Sequence, residues 1–152
     1  MHSFTDRDGR IWNLDLTVGT IRRVRSMCGI NLTDIIRLDD GSPPDMKILE
    51  RLTNDPSLLV DVLFAICKDE ADRQGIPPEQ FGYSMGGETV EKATAVLLEE
   101  ILDFFPEARR RIFRPMLQAK RRLAERLAVN LGEAVEARLN QLTGSLQNLP
   151  DA

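Results

Sequence analysis

The sequence has very little histidine and cysteine, which many catalytic and metal sites use. His2 is its only histidine, and its two cysteines, Cys28 and Cys67, are far apart. A catalytic triad would have to use His2, which we expect to lie at a mobile end, whereas a catalytic base must be held within hydrogen-bond reach of its partner. The cysteines fall in apolar helical patterns and match neither a CxxC redox pair nor a zinc motif, so we interpret them as core residues. We therefore predict no enzyme activity, no cofactor and no metal site.

Long apolar runs are also missing. The most apolar segment, Leu58 to Cys67, is about half of the roughly 20 residues that a helix needs to cross a bilayer. The first six residues have neither a basic start nor an apolar run, so they match neither a secretory signal nor a transit peptide. We expect a soluble, cytoplasmic protein that does not enter a membrane.

Two short motifs match known binding loops only in part. Residues 6–9 read Asp-Arg-Asp-Gly, but the glycine comes too early for a calcium loop and Thr17 stands where the closing glutamate should be. Residues 86–89 lack the lysine and the glycine spacing of a phosphate loop. We interpret the first motif as a hairpin turn and the second as the entry to a helix.

The remaining composition favours one compact helical body. A chain of 152 residues with 42% hydrophobic residues can bury a core. Behind the turn at Asp8 and Gly9, apolar Trp12, Leu14 and Leu16 alternate with polar residues, which predicts a β-hairpin with Trp12 as a core anchor.

Capping residues mark the main helices. Thr17 and Gly29 bound one helix, Asp55 and Pro56 begin the central helix, and Pro106 ends a third that starts near residue 88. Shorter elements are expected between them: a helical turn at 32–38, a loop at 39–44, a short helix at 45–53, and a helix or turn at 77–82.

The last third of the chain differs in charge from the rest. Residues 106–126 contain eight basic and two acidic side chains, a net charge of +6, although the whole chain carries −4. The basic residues are Arg109, Arg110, Arg111, Arg114, Lys120, Arg121, Arg122 and Arg126. Their charge fits a solvated face with ion pairs to the acidic segment 88–103, an acidic protein surface as partner, or contact with a phosphate backbone. No aromatic residue follows Phe113, which argues against base stacking on single-stranded nucleic acid.

An apolar stripe runs through the same segment. Its members are Phe113, Met116, Leu123, Leu127, Leu131, Val135, Leu139 and Leu142. Pro115 should kink or break the helix near residues 111–114. A helix over residues 116–142 would extend about 40 Å, longer than a small core can cover, so part of the stripe should meet another chain. The stripe lacks a strict heptad, which argues against a long coiled coil.

We thus predict a mainly α fold: a small helical domain with an N-terminal β-hairpin and a long C-terminal amphipathic helical arm. The expected boundaries are a body at 4–106, a basic arm at 107–142, and a flexible tail at 143–152.

Several segments of the body resemble a known family. They are Asp8-Gly9-Arg10-Ile11-Trp12, Thr17 with Ile21 and Val24-Arg25, residues 55–63, Gln80-Phe81-Gly82, and Phe104-Phe105-Pro106. In this order they resemble small tail-region proteins of long-tailed bacteriophages and prophages, and among these the tail assembly chaperones. The resemblance covers about residues 4–106. It implies a small, mainly helical, non-enzymatic protein of the host bacterial cytoplasm that binds the long helical tape-measure protein and keeps it from aggregating.

The residues expected to bind a partner come from the stripe and the charges alone. They are Arg110, Phe113, Met116, Arg121, Arg122, Leu123, Leu127 and Leu131. Two other interpretations stay open: self-association as a structural tail or connector component, and, less favoured, a nucleic-acid-associated module that uses the basic arm.

Overall fold

A computed structural model of the chain describes residues 2–35 and 45–148. The fold is mainly helical, with a two-stranded hairpin at the N-terminus and a long helix at the C-terminus, which confirms the predicted fold class. The chain divides into two compact units, the first ending at Arg110 and the second beginning at Arg111. The predicted loop at 39–44 and the end of the predicted helical turn before it lie outside the described residues.

The hairpin forms as the Asp-Gly turn predicts. Strands β1 (His2–Thr5) and β2 (Ile11–Leu14) are antiparallel, and Phe4 faces Trp12. Gly9 adopts a φ of 81°, a left-handed conformation that glycine adopts without strain. The expectation that His2 lies at a loose end was wrong, because His2 belongs to β1 and faces Leu14.

Two helices begin at the predicted capping residues, and the first of them also ends at one. Helix α1 (Val18–Cys28) starts at Thr17, whose hydroxyl accepts a hydrogen bond from the Thr20 amide, and ends at Gly29. A 3-10 turn (Leu32–Asp34) and α2 (Lys47–Asn54) follow along the chain. Helix α3 (Pro56–Gln74) starts at Asp55, whose carboxylate accepts from the Leu58 amide at 3.1 Å. These caps satisfy backbone donors that have no partner inside the helix.

Helix α3 is the centre of the first unit. Helices α4 (Pro78–Tyr83) and α5 (Gly87–Phe104) follow it along the chain. Helix α3 contacts α1, α2, α4, α5 and β2, whereas β1 packs against α5. Most of the α3 side chains from Leu59 to Cys67 are buried, as expected for a helix covered on several sides.

The aromatic core lies where the hairpin meets α3 and α4. Trp12 is fully buried, which confirms it as a core anchor, and its ring lies 5.0 Å from that of Phe81 in an edge-to-face arrangement. Phe64 of α3 packs against the same Phe81 ring at 5.4 Å. Cys67 is buried in this unit as predicted, and Cys28 is half-buried. The hairpin thus gains the helical support that an isolated strand pair lacks.

Helix α6 (Glu107–Gln147) is the longest element, with 41 residues. The expectation of a helix break near Pro115 was wrong, since α6 continues through it. Proline removes a single backbone hydrogen bond there, and the helix formers around it, mainly Arg, Leu, Ala and Lys, keep the flanking turns helical. The helix also continues to Gln147, past the predicted arm, and residues 149–152 of the predicted tail lie outside the described residues. No helix in the described part of the chain has both the length and the apolar character to cross a membrane.

Candidate interaction surface

The main candidate surface is the apolar side of α6. Seven large apolar side chains along it are each 52–69% exposed: Leu123, Leu127, Leu131, Val135, Leu139, Leu142 and Leu146. Scattered exposed apolar residues are ordinary on proteins, but a contiguous row of them marks an interaction site. The row is therefore a candidate interaction surface.

The spacing of these residues determines the shape of the surface. Successive residues of an α-helix are about 100° apart around the axis, so a step of four residues advances the row by about 40°. Along the row, each residue follows the previous one by four positions at Leu123, Leu127, Leu131, Val135 and Leu139. Only the last step of this series, from Leu139 to Leu142, is three positions long. The row therefore winds around α6 in the right-handed sense, opposite to a heptad seam.

Because the row winds, its two ends face different directions, and we name them, with the nearby Ile112 and the half-buried Met116, the proximal and distal patches. The proximal patch consists of Ile112, Met116, Leu123 and Leu127, which lie within about 60° of one another around the axis. The distal patch consists of Leu131, Val135, Leu139, Leu142 and Leu146, which lie within about 80°. The centres of the two patches are about 110° apart, so one straight partner helix cannot lie along both.

The predicted apolar site residues do not all belong to this surface. Phe113 is only 3% exposed and is the one buried residue of α6 among the described residues, so its ring is not available to a partner. Met116 is half-buried, and Leu123 and Leu127 are exposed on the proximal patch. Leu131 begins the distal patch.

The three predicted arginines have different surroundings. Arg110 is partly buried, and its NH1 lies 3.8 Å from Oδ1 of Asp103 on α5. Arg121 pairs with Glu125 one turn later, Nε to Oε1 at 3.3 Å, on the side of α6 away from Leu123. Arg122 is exposed, and the part of the chain that the structure describes offers it no ion-pair partner. Of the three, Arg122 is the best placed to meet an acidic partner.

Charge is distributed unevenly along α6. Its first part carries the predicted basic cluster, whereas residues 127–147 contain Glu133, Glu136 and Arg138 as their only charged side chains, a net charge of −1. Glu133 lies on the side of the helix opposite the distal patch, whereas Glu136 and Arg138, of opposite charge, flank its two edges. The proximal patch therefore has a basic surround and the distal patch a nearly neutral one.

Sequence reasoning missed parts of the structure that matter here. Leu146 was assigned to the tail, although it lies four residues after Leu142 and continues the row. The predicted stripe does not include Ile112, because it lies within a cluster of arginines. A cluster of His2, Glu100 and Asp103 was also missed, since the three residues are close only after β1 packs on α5.

Comparisons with protein-family models, curated proteins and solved structures found no match to this chain.

Proposed function

We propose that this chain is a non-enzymatic assembly chaperone or adaptor of phage tails, which binds a long helical protein of the tape-measure type through α6. The observation that carries the proposal is the row of seven exposed apolar side chains along α6. The resemblance of residues 4–106 to tail assembly chaperones supplies the biological setting.

The two patches suit a partner with apolar stripes on several helices. An amphipathic helix binds a partner by laying its apolar face against a complementary apolar face. Because the patches face directions about 110° apart, α6 can hold two partner segments at once, one on each patch. A long, repetitive helical protein offers many such segments along a single chain.

Charge favours an acidic segment on the proximal patch. The surrounding arginines would attract such a segment and speed its encounter with α6, whereas the apolar contacts would determine how long it stays. Arg122 and Arg126, both exposed, are the side chains expected to make this contribution.

Co-expression with the tape-measure protein of the same genome tests the proposal. With the wild-type chain, we expect the tape-measure protein to be soluble and to copurify. The test variant has glutamine in place of Leu131, Val135, Leu139 and Leu142. With this variant, we expect the tape-measure protein to aggregate while the variant itself stays folded. Equal solubility of the partner with both chains would contradict the proposal.

Self-association is the second candidate function, because the two halves of α6 have net charges of opposite sign. An antiparallel pair of α6 helices would place the basic part of each beside the weakly acidic part of the other. A ring or dimer built this way would be a structural tail component. Light scattering over a range of concentrations distinguishes it from a chaperone that is monomeric before it meets its partner.

A further inference from the structure

A mixed cluster of potential metal ligands lies in the first unit, away from the apolar row. His2 is on β1, and Glu100 and Asp103 are one turn apart on α5. The imidazole Nε2 of His2 lies 2.6 Å from Oδ2 of Asp103 and 3.8 Å from Oε2 of Glu100. One ligand atom from each residue falls within 4.8 Å of the others.

Glu100 is held in place by the backbone around it. It is buried, its Oε2 accepts a hydrogen bond from the His2 amide at 3.1 Å, and its Oε1 accepts from the Leu16 amide at 3.4 Å. Each carboxylate oxygen has a second lone pair that these bonds leave unused. The carboxylate is therefore oriented toward His2 in the way that hydrogen-bonded ligands of metal sites are oriented.

The size and donor types of the cluster fit a transition metal ion. Nitrogen and oxygen ligands lie about 2.0–2.2 Å from zinc, so two ligands of one ion are at most about 4.3 Å apart. The cluster would have to contract by roughly half an ångström at its widest. His2 Nε2 and Asp103 Oδ2, 2.6 Å apart, would also have to exchange their hydrogen bond for the ion and separate to roughly 3.3 Å, the spacing of two tetrahedral ligands. The half-exposed side chains of His2 and Asp103 can make both movements. An imidazole with two carboxylates favours zinc, cobalt or nickel over magnesium or calcium, which prefer ligand sets made of oxygen alone.

We propose that His2, Glu100 and Asp103 bind one divalent transition metal ion, which would link β1 to α5. This proposal is independent of the proposed function of α6, and it goes against the sequence-based expectation of no metal site. Three protein ligands leave further coordination positions to water.

Titration of the full-length chain with Zn²⁺ and Co²⁺ tests the site, using protein without a histidine tag. We expect one ion per chain by calorimetry, and visible absorption bands of Co²⁺ bound to nitrogen and oxygen. His2→Ala and Asp103→Asn should each weaken binding by more than the roughly 10- to 100-fold that loss of an outer-shell partner causes. Asp72→Asn, the same change at an exposed carboxylate of α3, is the matched control and should bind like the wild type.

Two further measurements separate a metal site from an ordinary ion pair. Zn²⁺ should raise the melting temperature of the wild type but not of His2→Ala, because an ion stabilises only the state that binds it. Arg110→Gln should tighten Zn²⁺ binding, because it removes a positive charge 3.8 Å from Asp103. Absence of saturable binding, or equal binding by His2→Ala and the wild type, would overturn the proposal.

Discussion

The indole nitrogen of Trp12 donates a hydrogen bond of 2.9 Å to Oδ2 of Asp6, and both side chains are buried. The other carboxylate oxygen of Asp6 accepts from the backbone amides of Asp8 and Arg10, each at 2.9 Å. One aspartate thus fixes the hairpin turn and satisfies the only polar atom of the largest core side chain.

Replacing this aspartate should destabilise the first unit. We expect Asp6→Ala to lower the free energy of unfolding by about 3 kcal/mol, since it leaves the buried indole N–H and the turn amides without their acceptor. Asp6→Asn keeps one acceptor oxygen and should have a smaller effect, about 1–2 kcal/mol. Urea denaturation followed by tryptophan fluorescence measures both. A loss below about 0.5 kcal/mol for Asp6→Ala would contradict the role given to the carboxylate.

Asp6 should also make stability depend on acid pH. Burial alone would raise the pKa of Asp6, but the hydrogen bonds from Trp12, Arg10 and Asp8 and the charge of Arg10 outweigh it and hold the pKa below 3.8. The folded state then binds this proton less readily than the unfolded state, so the stabilisation is complete above the unfolded pKa and is lost as pH falls through the folded one. Below about pH 4, the free energy of unfolding should therefore fall more steeply for the wild type than for Asp6→Asn. If the free energy of unfolding fell equally steeply with pH in both proteins, the Asp6 carboxylate would not be the source of this pH dependence.

Phe81 and Tyr83 offer a matched test of the aromatic core. Both are aromatic residues of α4, but Phe81 contacts Trp12 and Phe64, whereas Tyr83 is 83% exposed. We expect Phe81→Ala to cost about 3–5 kcal/mol of stability through the cavity it leaves. Tyr83→Ala should change stability by less than about 0.5 kcal/mol. Similar losses in both variants would show that the core is not where the structure places it.

The two cysteines should differ in reactivity toward a thiol reagent. Burial, with a smaller effect from the charge of Glu70, raises the pKa of Cys67 to about 12, so at neutral pH it has almost no reactive thiolate. Burial and the charge of Asp61 also raise the pKa of Cys28, but that residue is only half-buried. In the native protein, we expect slow modification of Cys28 and protection of Cys67 until the chain unfolds. Mass spectrometry after alkylation with and without denaturant reports both sites.

Leu131 and Val129 provide a matched pair for the surface of α6. They are two residues apart, are 65% and 59% exposed, and lie on nearly opposite sides of the helix. We expect Leu131→Gln to weaken partner binding on the order of tenfold, because it removes an apolar side chain from the distal patch. Val129→Gln should leave binding unchanged, and circular dichroism should show the same helix content in both. Equal losses of affinity would mean that hydrophobicity in general, and not the distal patch, holds the partner.

The sequence predicted the elements whose ends depend on local chemistry. The caps at Thr17 and Asp55, the glycine after α1, and the turn at Gly9 act within a few residues of themselves, so their effect can be read without a structure. The amphipathic stripe could be predicted for the same reason, since it follows from helical spacing.

Long-range packing could not be predicted in this way. His2 comes close to Glu100 and Asp103 because β1 packs against α5. These residues are about a hundred positions apart in the chain, so local sequence does not show their contact. The burial of Phe113, next to exposed Ile112, cannot be told from spacing alone either, because both are apolar residues beside arginines. The continuation of α6 through Pro115 shows that a strong local signal can be outweighed by the helix formers on both sides.

Hydrogen exchange measured on the chain with and without the proposed partner, a helical protein of the tape-measure type, tests the central claim most directly. Amides of the exposed part of α6 should exchange quickly in the free chain, since few tertiary contacts protect them. On addition of the partner, we expect slower exchange in peptides that cover residues 123–146, with little change across α3 and the hairpin. Protection gained in the first unit while residues 123–146 remain unchanged would contradict the assignment of α6 as the binding surface.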